Sequence, residues 1–233
     1  DVALSGGTIA AVGHLDGAAA LHTIDAAGRT LTPGFIDLHR HADAELFSQN
    51  FGPAELAQGL TTLINGNCGL SLAPVDGPHR RSVLDYLSPI VGEMPQGLDF
   101  PTLADYRAQA GASLRPLHTG MLVGMGTLRG CAAGFHPGPL TNQELHALHG
   151  LLERALSDGA LGVSLGLGYA PECFYDTDGL LQALAPLRRS GRLITVHMRQ
   201  EGDGVVEALE EMLTVARALE TPVEISHLKA IGR

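Results

Sequence analysis

Gly34-Phe-Ile-Asp-Leu-His-Arg-His41 decides the fold. Its apolar opening reads as a strand, and it ends in two histidines one residue apart instead of a glycine-rich phosphate turn. Outward from it, apolar strand-like runs recur at residues 61–67, 119–124, 160–166, 193–198 and 223–228, with helical stretches between them. Strands alternating with helices are the pattern of a parallel sheet with crossover connections. Six β–α units of this size fit an α/β barrel of the (β/α)8 TIM type with about six of its eight units present, since such barrels take about 250 residues. A doubly wound open sheet is the alternative, but it usually carries a phosphate turn after its first strand. The barrel is favoured.

Several helices announce their ends. Thr141-Asn-Gln-Glu144 is a capping box, opening a helix that closes at Gly159. Asp178 begins another that stops near Gly191, with Pro186 as a possible kink. Val205, Leu209, Met212, Leu213 and Ala216 recur at helical spacing, and Pro222 bars continuation. Residues 1–31 have a different texture. Val2-Ala-Leu-Ser-Gly-Gly-Thr-Ile-Ala-Ala-Val-Gly13 reads as a hairpin around Gly6-Gly7, followed by a short strand at residues 21–24 and a turn at Ala26-Ala-Gly-Arg29. These strands are expected to belong to a small N-terminal β-sandwich, with residues 32–233 forming the barrel domain. The chain opens at Asp1 in mid-element without an initiator Met, so both ends are expected to be clipped.

Composition narrows the function. Apolar residues make up 45% and charged ones 17%, an ordinary globular balance. A net charge of -10, with only 15 Lys+Arg, disfavours nucleic acid and anionic membrane as partners and leaves small molecules. No run of 18 apolar residues occurs. Cys68, Cys131 and Cys173 are an odd, scattered set without a CxxC, which points to a reducing compartment, the cytoplasm.

Barrel enzymes place reactive groups at the C-terminal ends of their strands. Four of the six strands end in a metal-ligand type: Asp37-Leu-His39-Arg-His41-Ala-Asp43, Asn67-Cys68-Gly69, Val196-His197-Met198 and Ser226-His227-Leu228-Lys229. Side chains alternate along a strand, so His39 and His41 should face one way together, as should His227 and Lys229. Imidazole with thiolate suits Zn²⁺ better than Mg²⁺ or Ca²⁺. A single histidine is more often an ordinary surface or structural residue, and His14, His22, His79, His146 and His149 are read that way. Cys131 and Cys173 are read as small buried hydrophobes. Four independent strand ends agreeing is a much more specific signal.

The stretch Thr32-Pro-Gly-Phe-Ile-Asp-Leu-His-Arg-His-Ala-Asp43 resembles the first-strand signature of the amidohydrolase superfamily. Asn65-Gly-Asn-Cys-Gly69, Gly159-Ala-Leu-Gly-Val-Ser-Leu-Gly-Leu-Gly-Tyr-Ala-Pro171, His197-Met-Arg199 and Ile225-Ser-His-Leu-Lys229 resemble its D-aminoacylase branch, the N-acyl-D-amino-acid deacylases. That resemblance implies zinc-dependent hydrolysis of a linear amide to a carboxylate and a free D-amino acid. It implies Cys68, His197 and His227 as the tight zinc site, with His39 and His41 lining a weaker second one. It also implies Lys229 against the substrate's α-carboxylate and Tyr169 over the substrate. The family's catalytic base is an Asp ending strand eight, expected beyond Arg233, so these residues by themselves are expected to be inactive. Members of the branch often carry a His where this chain has Gly124-Met125-Gly126, which bears on substrate range. Arg129, Arg199 and Glu172 read equally as loop braces or as substrate contacts.

The lysine count adds an independent argument. Lys229 is the only lysine, and the other fourteen basic residues are arginine. Dihydroorotase and hydantoinase kinds bridge two metals with a carboxylated lysine on strand four, yet residues 160–169 contain none. Cyclic-amide hydrolases are thereby disfavoured. Two rivals stay open: a related hydrolase of acyl-dipeptides or ring-opened amides, and a non-catalytic barrel relative. Such relatives tend to lose metal ligands first, and here every ligand position is filled.

Overall fold

The computed structural model describes residues 1–112 and 116–232. Its contacts divide the chain into two units, Asp1–Pro33 and Gly34–Arg233.

In the first unit β1 (Val2–Ser5) pairs antiparallel with β2 (Thr8–Val12). Gly6 and Gly7 both take positive φ, 56° and 78°, which a two-residue hairpin turn needs to match the twist of its strands. The short strand expected at residues 21–24 is not formed. Leu21 and Ile24 are 97% and 89% exposed, and among the described residues no strand pairs with them, so a β-favouring sequence alone does not hold them extended.

The second unit is α/β. It contains β3 (Phe35–Asp37), β4 (Leu60–Asn65), β5 (His118–Met121), β6 (Val123–Gly124), β7 (Gly162–Gly166), β8 (Leu193–His197) and β9 (Val223–Ile225). Every pairing is parallel, in the orders β3-β4-β5 and β6-β7-β8-β9. Only Leu122 separates β5 from β6, and its N–H donates to the Asn65 carbonyl at 2.9 Å, while Leu161 N–H donates to Met121 at 2.9 Å. Strand order in space therefore follows strand order in the chain, without the reversal of a doubly wound sheet. The ladders are shorter than the sequence suggested. The segments carrying His39, His41, Cys68 and His227 lie just past the last ladder residue, where the backbone is free to turn.

Helices α1 (Pro53–Ala57), α2 (Arg80–Val91), α3 (Leu103–Ala112), α4 (Met125–Ala133), α5 (Asn142–Ser157), α6 (Thr177–Ala183) and α7 (Val205–Leu219) connect the strands. From α4 onward consecutive helices pack on each other, and α2 packs on α4. The capping box forms at α5: Glu144 N–H donates to Thr141 Oγ1 at 3.3 Å, and Thr141 N–H to Glu144 Oε2 at 2.8 Å. Asp176, not Asp178, caps α6 by accepting from Gly179 N–H. Pro186 ends that helix outright, leaving a separate 3-10 turn at Ala185–Leu187. On α7 the buried stripe is Ala208, Met212, Val215 and Leu219, so Leu213 faces out.

The core is continuous. All five residues of β7 are buried; Val163 and Leu165 pack with Ile194, Val196, Leu148 and Leu152 in one apolar cluster. Among the described residues no helix is long and apolar enough to cross a membrane.

Candidate metal centre

The loop after β4 sets the site. Gly66, Cys68 and Gly69 all adopt positive φ (76°, 55° and 74°), a conformation that costs a non-glycine residue such as Cys68 roughly 1–2 kcal/mol. The surroundings dictate it. Asn67 Nδ2 donates to the carbonyls of Ile64 (3.0 Å) and Leu38 (3.3 Å). Gly69 N–H donates to Ser164 Oγ at 2.9 Å, and that hydroxyl donates to Gly66 O at 2.6 Å. The buried Asp43 carboxylate accepts from Leu72 N–H (3.0 Å) and Gly66 N–H (3.4 Å). Neither flanking glycine tolerates a side chain: a Cβ on Gly66 would strike the Leu122 carbonyl, and one on Gly69 would strike the Glu172 carboxylate.

Held this way, Cys68 meets histidines from three other strand ends. Its Sγ lies 3.3 Å from His39 Nε2 and 3.5 Å from His227 Nε2; His227 Nε2 in turn lies 3.1 Å from His197 Nδ1. His39 and His41 stand with ring centroids 5.3 Å apart. Cys68, His197 and His227 form one group whose donor atoms lie within 4.8 Å of one another, and His39, His41 and Cys68 form a second. Cys68 belongs to both.

Protonation favours ligation by the rings. Burial holds His39 and His197 below the usual imidazole range, with neighbouring histidines adding to the effect. His41 is lowered to about 4 by burial and by the charges His39 and His227 would carry, and its buried Nδ1 has no hydrogen-bond partner. Neutral imidazoles offer lone pairs. Burial pushes the Cys68 thiol up to about 12, with the Glu172 charge adding to it. Only a nearby cation would bring that sulfur to its thiolate form. Three neutral rings, one of them with a buried nitrogen lacking a partner among the described residues, and one sulfur fit a divalent metal ion of borderline softness.

The remaining site residues fall around this group. Tyr169 lies with its ring edge on His197, centroids 5.0 Å apart, and its hydroxyl donates to the Cys68 carbonyl; it braces the Cys68 loop. Lys229, 49% exposed, puts Nζ 2.9 Å from Glu201 Oε2. Arg199 forks onto Glu211 of α7 at 3.0 and 2.9 Å and donates to the Cys173 carbonyl. Arg129 is fully buried, donates to the Gly138 carbonyl at 2.8 Å and stacks on Tyr175. Glu172 accepts from Gly166 N–H at 3.0 Å. All three are loop braces in this structure. Met125 is buried at the start of α4. His149 Nε2 donates to the Gln182 carbonyl at 2.8 Å, and Cys131 sits in the core.

Glu201 is the residue that sequence reasoning missed. It is 8% exposed on its side chain, with Oε1 2.5 Å from His227 Nδ1 and Oε2 3.8 Å from His197 Nε2. Burial works to raise its pKa, but the Lys229 hydrogen bond and the two histidines outweigh that and hold it below the usual carboxylate range. The one signal in the sequence is a carboxylate four residues past a strand-end histidine, which is weak.

Comparison with known proteins places the chain in a family. Residues 22–230 match the model of the amidohydrolase family. Over its whole length the chain is 35% identical to the D-aminoacylase of Alcaligenes xylosoxydans xylosoxydans and 37% identical to that organism's N-acyl-D-aspartate deacylase, spanning 47% and 46% of them. It superposes with a TM-score of 0.89 on the N-acyl-D-glutamate deacylase of Bordetella bronchiseptica, solved with zinc and a phosphonate mimic of the tetrahedral intermediate. That match has 33% identity and covers 99% of this chain and 47% of the other. The chain spans about half the length of the curated relatives it matches.

Proposed function

The chain belongs to the amidohydrolase family, and from that premise we propose that it carries the metal-holding part of a hydrolase that cleaves N-acyl-D-amino acids to a carboxylate and a free D-amino acid. The observation that carries this reading is the convergence of Cys68 Sγ, His227 Nε2 and His197 within 4.8 Å. The parallel strands in chain order, with β5 and β6 counted as one strand interrupted at Leu122, and the consecutive helices packed from α4 onward support six units of a (β/α)8 barrel. The β1–β2 hairpin supports a share in a small β-sandwich. Three free cysteines and a net charge of -10 are in keeping with a cytoplasmic enzyme acting on small molecules, not on nucleic acid or membranes.

Cys68, His197 and His227 would hold a tight Zn²⁺, and His39 and His41, sharing Cys68, would offer a weaker second position. When bound, zinc supplies Lewis acidity toward the scissile carbonyl and toward water. The chain's own residues do the rest. Lys229 offers a partly exposed ammonium beside the metal ligands, and contact with the substrate's α-carboxylate there fixes the amide in register. Tyr169 keeps the Cys68 loop in its strained turn and walls one side of His197. Glu201 is engaged by Lys229 and His227, Glu172 by Gly166, and Asp37 by Arg40 and the His39 N–H. None of these carboxylates is assigned as the proton-accepting base.

The test is hydrolysis by the full-length protein of paired N-acetyl-D- and N-acetyl-L-amino acids, before and after chelation. Metal-dependent release of free amino acid from the D series supports the reading. Turnover that ignores both chelation and chirality would remove it.

A further inference from the structure

One carboxylate lies behind two of the rings that converge on Cys68. His227 turns Nε2 toward Cys68 Sγ and toward His197 Nδ1, at 3.5 and 3.1 Å. The opposite nitrogens, His227 Nδ1 and His197 Nε2, face the two oxygens of Glu201 at 2.5 and 3.8 Å. The His227 contact is close but does not meet hydrogen-bond geometry. Even so, a ring nitrogen that presented its lone pair to an ionised oxygen this close would be repelled by it, so the proton belongs on that nitrogen.

With that proton on Nδ1, the lone pair of His227 Nε2 faces the Cys68 sulfur at 3.5 Å and His197 Nδ1 at 3.1 Å, and before an ion enters, His197 Nδ1 can donate to it. Lys229 Nζ, 2.9 Å from Oε2, holds Glu201 in place. The same contact means that the lysine is already partnered when substrate arrives. Its charge is shared between an internal carboxylate and any carboxylate that binds outside.

We propose that Glu201 is a positioning residue that fixes the tautomer of His227, aiming its Nε2 lone pair at the point shared with Cys68 and His197, and that it tethers Lys229 beside them. This rests on the metal reading above. A carboxylate that orients a ligating histidine through its outer nitrogen typically changes metal affinity by about 10–100-fold when removed.

The test uses the full-length protein with ¹⁵N-labelled histidine, metal-free and at a pH where the rings are neutral. Long-range ¹H–¹⁵N spectra should show Nδ1–H on His227 in the wild type, and a mixture of His227 tautomers in Glu201→Gln. Zinc affinity, read by competition with a chromophoric chelator, should fall about 10–100-fold in the variant. A wild-type spectrum with Nε2–H on His227 overturns the proposal even if the variant does not fold. Unchanged tautomers and unchanged affinity in Glu201→Gln overturn it as well. Correct tautomers in a wild type that binds no zinc would sink the metal reading and leave the orienting role of Glu201 standing.

Discussion

Cys68 and His227, 159 residues apart in the chain, bring Sγ and Nε2 to 3.5 Å. The turn after β4 delivers the sulfur, and the end of β9 delivers the ring. Contact between them depends on every parallel pairing across the sheet.

Removing the sulfur should remove the metal. Cys68→Ala is expected to lower zinc affinity by more than the roughly 10–100-fold produced by losing an outer partner of a ligand. Equilibrium dialysis followed by elemental analysis measures it. Retained stoichiometric zinc in Cys68→Ala would show that the sulfur is not a ligand.

Gly66 has φ 76° and faces the Leu122 carbonyl, a backbone atom that cannot swing away. Gly66→Ala should cost about 1–3 kcal/mol of stability and loosen the Cys68 loop. Urea unfolding reads the first effect and the zinc off-rate the second. A change within 0.5 kcal/mol, roughly the level of an ordinary surface substitution, would mean that the turn relaxes freely.

Acid should open the start of α5. Hydrogen bonds from Thr141 N–H and Oγ1, then the His136 ring, hold Glu144 down to about 2. A carboxylate with a depressed folded pKa stabilises above its ordinary value near 4.5 and loses that contribution as pH falls toward 2. Thr141→Ala should therefore cost about 1 kcal/mol at neutral pH, with the gap to wild type narrowing between pH 4.5 and 2. A gap independent of pH in denaturant titrations would contradict the capping assignment.

Lys229→Met should weaken the carboxylate anchor. A charge-assisted contact of this kind is worth about 1.5–3 kcal/mol, a loss of roughly 10–150-fold in kcat/KM. The loss should be confined to substrates with a free carboxylate, and N-acyl amino amides should show little change. An equal loss on both would assign Lys229 to holding Glu201 alone.

The sheet was legible because buried parallel strands are short apolar runs, and 160–166 and 193–198 carry such runs on both faces. Residues 21–24 have the same local texture without a partner strand, which no local pattern reveals. Helix α4 escaped notice because Gly126 and Gly130 depress its helix propensity and it is buried nearly all round, so it lacks a polar stripe. The ligand types at strand ends could be read directly, since their position follows from strand order. Glu201 could not, because a loop's path, not a period, carries its carboxylate behind His227. Tyr169 and Arg199 follow the ends of β7 and β8, but their hydrogen bonds to the backbone of Cys68 and Cys173 depend on loops folded from other parts of the chain.

Zinc K-edge absorption of the purified full-length protein is the most direct test of the centre. A stoichiometric ion whose nearest shell combines sulfur with imidazole nitrogen is the expected result. A shell of nitrogen and oxygen without sulfur, or no bound zinc at all, would contradict the assignment of Cys68, His197 and His227.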